Sequence, residues 1–218
     1  MIPKITEERK LWKQGYRSVA CIDEAGRGPL AGPVVAAACV ILRFPKFEPS
    51  NLGNLRMLNL RDSKKLSPKR REEIYAKVLT HHAIQWGIGI VSEKVIDKIN
   101  IFQATQLAMR KALSHLEAKL QKKTPVDFLI VDGNMKLGKT SISQKAIIKG
   151  DEKVFSCALA SIIAKVTRDK IMLRYHKKYP QYGFNSHKGY GTVLHFAMLK
   201  KYGPCPIHRR SFAPVSRM

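Results

Sequence analysis

A stretch near the N-terminus, SVACIDEAGRGPLAGP at 18–33, constrains the rest of this chain more than any other. It opens as a short apolar run, Val19-Ala20-Cys21-Ile22, with the composition of a buried strand. Two adjacent carboxylates, Asp23 and Glu24, follow at once, and then Gly26-Arg27-Gly28-Pro29. Ionised acids at the end of a buried strand are costly unless a cation or a set of donors faces them. The glycines let backbone approach a ligand closely and reach positive φ. Such a string is either an ionised turn or one wall of a site. An Asp-Glu pair alone favours the turn.

The remaining elements fall into an α/β order. Residues 4–14 are charged and form an N-terminal helix whose Leu11 and Trp12 pack back onto the domain. The run VVAAACVIL at 34–42 is continuously apolar, as in a central strand covered on both faces. Residues 43–60 carry Pro45, Pro49, Asn51, Gly53 and Asn54 and read as a loop. Ser67-Pro68 starts a helix with Ser67 as N-cap and Ile74 and Val78 on its inner face. A strand at 83–91 follows, then a helix at 100–121 with an apolar stripe through Ala108, Ala112 and Leu116. The strand at 126–131 runs straight into Asp132-Gly133, and a short strand at 144–148 precedes Lys149-Gly150-Asp151-Glu152. A second long helix spans 155–173, a Gly- and Pro-containing loop 175–191 and a short helix 192–201. The pattern predicts one domain over 1–218 built on a single sheet flanked by helices, with 192–218 as a C-terminal helix and a basic extended tail. No G-x-G-x-x-G follows a strand, which argues against a dinucleotide-binding fold.

Charge narrows the partners. Forty Lys and Arg against sixteen Asp and Glu give a net charge of +24, a field that attracts polyanions, nucleic acid first among them. The four cysteines are scattered without a C-x-x-C pair, so reduced core thiols are expected rather than a zinc site or a disulfide framework. No apolar run approaches the ~18 residues of a membrane span, and the polar N-terminus lacks a signal-peptide core. A cytoplasmic monomer is the expectation.

In so basic a chain, the acids that close strands stand out: Asp23 and Glu24, Asp132, and Asp151 just past the last short strand. If these strands are neighbours, four carboxylates converge, and hard oxygen donors at that density suit Mg²⁺ or Mn²⁺. Two such ions promote phosphodiester hydrolysis. The plain alternative is that each Asp caps a turn, an even choice for Asp132-Gly133. Lys64 and Lys65 precede the N-terminus of the helix at Pro68, where a phosphate binds well, although a Lys-Lys pair alone is usually a solvated face.

DEAGRGPLAGP, DSKKLS, LIVDGN, KGDEK, SIIAKVTRD, SHKGYGT and HRRSFAPV occur in that order from residue 19 to about 215, and together they closely resemble the bacterial type 2 ribonucleases H, the ribonuclease HII family. The resemblance implies a ribonuclease H-like fold with a central mixed sheet and a C-terminal helical portion. It implies a metal-dependent endoribonuclease, using two Mg²⁺ or Mn²⁺ ions, that cleaves the RNA strand of RNA/DNA hybrids. It also implies incision 5′ of single ribonucleotides embedded in duplex DNA, leaving 3′-hydroxyl and 5′-phosphate ends. On the matching positions, Asp23, Glu24, Asp132 and Asp151 would hold the metals. The backbone at Gly26, Arg27 and Gly28 would read the ribose 2′-hydroxyl, Tyr190 would pack on the neighbouring deoxyribose, and Ser63, Lys64 and Lys65 would contact the nucleic-acid backbone. Because a methyl at Gly28 would displace the turn, Gly28→Ala is expected to harm activity more than Arg27→Ala. Asp169 in VTRD rivals Asp151 as the fourth acid; Asp151 is preferred because Asp169 lies deep in a helical run with Arg168 as a possible partner. His187, alone in a Lys- and Gly-rich loop, reads as a surface or phosphate-contacting residue and receives no catalytic role. Two other classes compete. A non-catalytic basic nucleic-acid binder leaves the strand-end acids unexplained, and a junction nuclease of the same fold does not need Gly26-Arg27-Gly28.

Overall fold

A computed structural model of the chain describes residues 2–42, 60, 66–120 and 125–218. Within them, β1 (Val19–Ala25), β2 (Val34–Ile41), β3 (Ile84–Val91), β4 (Phe128–Asp132) and β5 (Ser143–Ile147) form one sheet in the order β3-β2-β1-β4-β5. The β1–β2 and β2–β3 pairs are antiparallel, whereas β1–β4 and β4–β5 are parallel. The sheet is mixed, with β1 at its centre.

Helices cover both faces. On one, α3 (Glu93–Lys119) sets Ala104, Ala108, Met109, Ala112 and Leu116 against Ala20, Ile22, Ala36, Ala38, Leu129 and Val131. On the other, α5 (Phe155–Lys178) sets Ala158, Leu159 and Ile162 against Ala37 and Cys39, and Cys157 against Cys21 and Ile130. Burial on both sides is why β2 is apolar at every position. The alternating Gly87 and Gly89 of β3 let α3 sit directly on the sheet: a Cβ there would lie 2.1 Å from the Ala112 carbonyl oxygen and 1.9 Å from that of Ala108. All four cysteines are buried free thiols.

The helices depart from the expected bounds at the start of α3 and the end of α5. α3 begins at Glu93, and Asn100 interrupts it at φ 64°, ψ 166°, with its side-chain oxygen accepting from Gln103 N–H at 3.0 Å. The apolar stripe from residue 100 is therefore the second of two segments, capped by Asn100 itself. The helix α2 (Pro68–Thr80) starts as expected, Ser67 Oγ accepting from Arg70 N–H at 3.2 Å. α5 runs five residues beyond the expected end, to Lys178. A short helix, α4 (Gly150–Lys153), holds Asp151, and α1 (Thr6–Lys13) buries Leu11 as anticipated. No described helix is long and apolar enough to cross a membrane.

The C-terminal part is more ordered than its composition suggests. The stretch read as a loop contains a 3₁₀ turn (Pro180–Tyr182) and α6 (Phe184–His187), and α7 (Val193–Tyr202) follows. Tyr182, Phe184, Cys205 and Ile207 pack with Met172 of α5 and Ala31 of the N-terminal signature. The tail was expected to be extended, yet it folds back in turns that bury Ile207, His208, Arg209 and Val215 and ends in a 3₁₀ turn (Val215–Arg217). Beside this apolar cluster, His187, His195 and Arg209 are buried with hydrogen bonds to backbone carbonyls, a form of burial that leaves no apolar period in the sequence.

Two buried histidines of this lobe, His195 and His208, are both drawn down to about 4, desolvation being the main cause in each. An unfolded chain takes up these protons near pH 6.5 and the folded chain only near 4. Their contribution to stability is therefore complete above 6.5 and is lost as pH falls towards 4. The His195 and His208 imidazoles should stay neutral at pH 5 in ¹H–¹⁵N spectra, and titration of both near 6.5 would contradict this packing.

Candidate active site

The strand ends deliver the acids. Register pairs Ile22 of β1 with Val131 of β4, so Asp23 and Asp132 emerge side by side from parallel strands, and Glu24 follows on β1. Asp23, Glu24 and Asp132 line a cleft of about 490 Å³ together with residues 25–28, Arg71, Ser161, Lys165 and Tyr190. Asp23 faces α5, where Ser161 hydrogen-bonds its carboxylate, and its Oδ1 also accepts from the Glu24 N–H at 2.7 Å. Asp132 Oδ1 accepts from the Gly150 N–H at 2.6 Å, tying the start of α4 to the end of β4.

The acids strain against one another. Burial first, then the negative charges of Glu24 and Asp132, push Asp23 well above the usual carboxylate range. Burial also raises Glu24, against the pull of Arg27, whose guanidinium lies 3.3 Å from it. Three hard oxygen donors in one partly desolvated cleft, where Arg27 offsets the burial of Glu24 but no cation offsets that of Asp23, are the environment in which a divalent cation replaces protons. Mg²⁺ and Mn²⁺ fit this donor set; thiolate- or imidazole-seeking metals do not. No group of three or more His, Cys, Asp or Glu side chains among the described residues is arranged to hold an ion by itself. Mg²⁺ commonly keeps water and substrate oxygens in its shell, so an open arrangement is compatible with it.

Not every expected residue reaches the cleft. Asp151 is fully buried in α4, one residue after the Gly150 that bonds Asp132, and is not among the residues lining the cleft. Its rival Asp169 is also outside the lining, and its carboxylate lies 2.7 Å from Lys165 Nζ. Its partner is thus Lys165 rather than the adjacent Arg168. Asp151→Asn is accordingly expected to reduce RNA-strand cleavage by a larger factor than Asp169→Asn. Initial rates of the two purified variants decide it, and the reverse ranking would exchange the two roles. Ser63, Lys64 and Lys65 lie outside the described residues.

The glycine turn and Tyr190 meet at the same cleft. Tyr190 is 45% exposed, and its Cε1 lies 4.0 Å from where a Gly28 Cβ would project. Gly26 sits at φ 96°, and a Cβ there would fall 2.1 Å from Arg168 Nε. Gly28 has room for a methyl, so the steric demand belongs to Gly26 and not to Gly28. His187 is buried rather than on the surface. Its Nδ1 accepts from the Gly189 N–H at 3.1 Å, leaving Nε2–H to donate to the Tyr182 carbonyl at 2.7 Å.

In the sequence Arg168 stands out only as a possible partner for Asp169, and Arg209 does not stand out at all. Both are fully buried, and each spans three backbone carbonyls. Nor do Arg71, Ser161 and Lys165 stand out in the sequence. Arg168 and Lys165 stand in SIIAKVTRD and Arg209 in HRRSFAPV, so the motif strings marked the places but not what the side chains touch.

Residues 20–215 match the family model described as Ribonuclease HII. The ribonuclease HII of Chlamydia muridarum is 49% identical over 203 residues, 93% of this chain and 85% of that one. That of Acetivibrio thermocellus is 50% identical over 205 residues, covering 94% and 73%. The chain belongs to the ribonuclease HII family.

Solved structures agree. The ribonuclease H2 of Pyrococcus horikoshii OT3 superposes with a TM-score of 0.68 at 28% identity, over 92% of this chain and 96% of that one. The RNase HII of Archaeoglobus fulgidus, solved in complex with PCNA, gives 0.69 at 26% identity, over 89% and 95%. A Bst-RNase HIII in complex with Mn²⁺ gives 0.71 over 92% and 68%; at 19% identity it supports the fold alone. As a ribonuclease HII, the chain is a metal-dependent ribonuclease H acting on RNA/DNA hybrids. Its fold is the ribonuclease H-like one expected from the sequence.

Proposed function

We propose that this ribonuclease HII also incises duplex DNA 5′ of a single embedded ribonucleotide, leaving 3′-hydroxyl and 5′-phosphate ends, with Mg²⁺ or Mn²⁺ held by Asp23, Glu24, Asp132 and Asp151. The observation that carries this reading is that Gly26, Arg27, Gly28 and Tyr190 line the same cleft as three of the four acids. A ribose 2′-hydroxyl is both donor and acceptor, so a backbone turn tests for it without a dedicated side chain. An enzyme that tests one sugar beside its reacting phosphate needs only one ribonucleotide.

The divalent ions supply Lewis acidity for the attacking water and the leaving oxygen. The protein's share is placement and charge. Asp23 and Asp132 are fixed by strands and by the hydrogen bonds from the Glu24 and Gly150 N–H groups. Lys165 and Arg71 offer positive charge to the scissile strand from the opposite elements of the cleft. Asp151, one residue after the Gly150 whose N–H bonds Asp132, would complete the ligand set. We further infer a monomer working in the cytoplasm.

Three end-labelled substrates test this reading with and without Mg²⁺: a DNA duplex holding one ribonucleotide, an RNA/DNA hybrid and a four-way DNA junction. A single cut 5′ of the ribonucleotide, with a ligatable 3′-hydroxyl, is the expected result. An intact single-ribonucleotide duplex beside a cleaved hybrid would overturn the substrate reading, and cleavage of the junction would favour the junction-nuclease alternative.

A further inference from the structure

The tail reaches back to the glycine turn and to Tyr190 at once. Its segment 205–209 pairs with the N-terminal signature: Gly32 N–H donates to the Ile207 carbonyl at 2.8 Å, Arg209 N–H to the Leu30 carbonyl at 2.8 Å, and His208 bridges Ala31. From there the Arg209 guanidinium donates to the carbonyls of Gly32 at 3.0 Å, Arg27 at 2.9 Å and Gly26 at 2.5 Å. Arg168 does the same from α5, donating to the carbonyls of Pro33, Lys188 and Ala31, each at 3.0 Å. Two rigid planar forks thus hold the carbonyls of residues 26, 27 and 31–33, with Leu30 tied by the Arg209 backbone. A guanidinium fixes the relative placement of three acceptors in a way that the flexible point charge of a lysine does not.

The neighbouring histidine forms a second tie. The Cys205 N–H can only donate, so His208 Nδ1, 2.9 Å away, is an acceptor and the His208 proton resides on Nε2. That Nε2–H faces His195 Nε2 at 3.0 Å, which places the His195 proton on Nδ1, donating to the Tyr190 carbonyl at 2.9 Å. The chain runs unbroken from the tail backbone through two neutral rings to the backbone of Tyr190. Neither His195 nor His208 lines the cleft; only Tyr190, at the end of the chain, does.

We propose that Arg209 and His208 are positioning residues for ribose recognition: the segment 205–209 sets the Gly26–Gly28 turn through one guanidinium and sets Tyr190 through one imidazole chain, fixing the gap between them. The proposal rests on the reading that this turn and Tyr190 test the ribose. It explains why a basic, Pro-containing tail folds inward rather than trailing along the substrate.

The test uses the full chain below the onset of melting of every variant, with three readouts: kcat and KM on an RNA/DNA hybrid, Kd for an all-DNA duplex, and the melting curve. Arg209→Lys keeps the charge and loses the fork. It should lower kcat on the hybrid about thirtyfold, as expected for a sub-ångström to one-ångström misplacement, with KM and the all-DNA Kd within about twofold of wild type. His208→Phe keeps a ring and loses the relay, and should lower kcat about fivefold, whereas His208→Gln, which retains an N–H donor towards His195, should recover most of it. Hybrid turnover of Arg209→Lys within twofold of wild type would overturn the proposal. So would a parallel fall of turnover and all-DNA binding, since that marks a phosphate contact or general loosening. Gly26→Ala in the same series reports on the underlying reading: if it cleaves the hybrid normally, the turn does not test ribose and both ideas fall. If it is impaired while Arg209→Lys is not, the positioning role alone fails.

Discussion

Asp132→Asn should stop RNA-strand cleavage, by a factor of about a thousand or more in kcat, while the fold survives. The side chain leaves the end of β4 into the cleft shared with Asp23 and Glu24, where on the proposed reading its charge would help hold the metal. Asn keeps an oxygen for the Gly150 N–H, which Asp132 Oδ1 now accepts at 2.6 Å, and the start of α4 stays in place. It also removes one of the charges that push Asp23 upward, so the melting temperature should hold or rise. Circular dichroism melting and turnover on an RNA/DNA hybrid check both halves. Near-normal turnover, or a fold lost together with activity, would remove Asp132 from the metal-holding role.

The second large effect falls on Gly26. At φ 96° an alanine is strained before any contact is counted. Its Cβ would lie 2.1 Å from Arg168 Nε, 2.5 Å from Arg168 Cδ and 2.8 Å from the Pro33 carbonyl oxygen. Arg168 is itself fully buried and held by three carbonyls, so it has nowhere to retreat. Gly26→Ala should therefore cost about a hundredfold or more in hybrid cleavage and lower the melting temperature by several degrees. At Gly28 the nearest atom to an added Cβ is Tyr190 Cε1 at 4.0 Å, an ordinary contact. Gly28→Ala should retain turnover within a few-fold of wild type. If Gly28→Ala is the more damaging of the two, the packing of Arg168 against the turn is not what holds its shape.

That contrast shows where the sequence is informative and where it is silent. Apolar runs, Pro and Gly punctuation and the ordered strings carry the strands, the second segment of α3, α5 and the acids at strand ends. A glycine's φ leaves no mark in a sequence, so Gly26 and Gly28 read alike although only one is sterically required. The turn at 93–99 was lost because Asn100 breaks the apolar period between two helical segments. In the lobe from 175 onward the helix expected at 192–201 is present, but the inward fold of the loop and tail was not legible, because buried histidines, tyrosines and an arginine are residue types that read as surface. Arg168 illustrates the same limit: it reads as a partner for its neighbour Asp169, but its donors all go to carbonyls of distant segments. The tie between the end of β4 and the start of α4, the helix that carries Asp151, rests on the Gly150 N–H contact with Asp132, a relation that spacing alone does not contain.

The account stands most directly on metal dependence. The decisive measurement is the initial rate of RNA-strand cleavage in an RNA/DNA hybrid by the wild-type chain, started in excess chelator and titrated with Mg²⁺, with Asp132→Asn run alongside. Clustered, mutually repelling carboxylates predict no cleavage under chelator, a saturable rise with Mg²⁺ for the wild type, and a flat line for the variant. Cleavage that persists in chelator, or an Asp132→Asn titration that overlays the wild type, would contradict it.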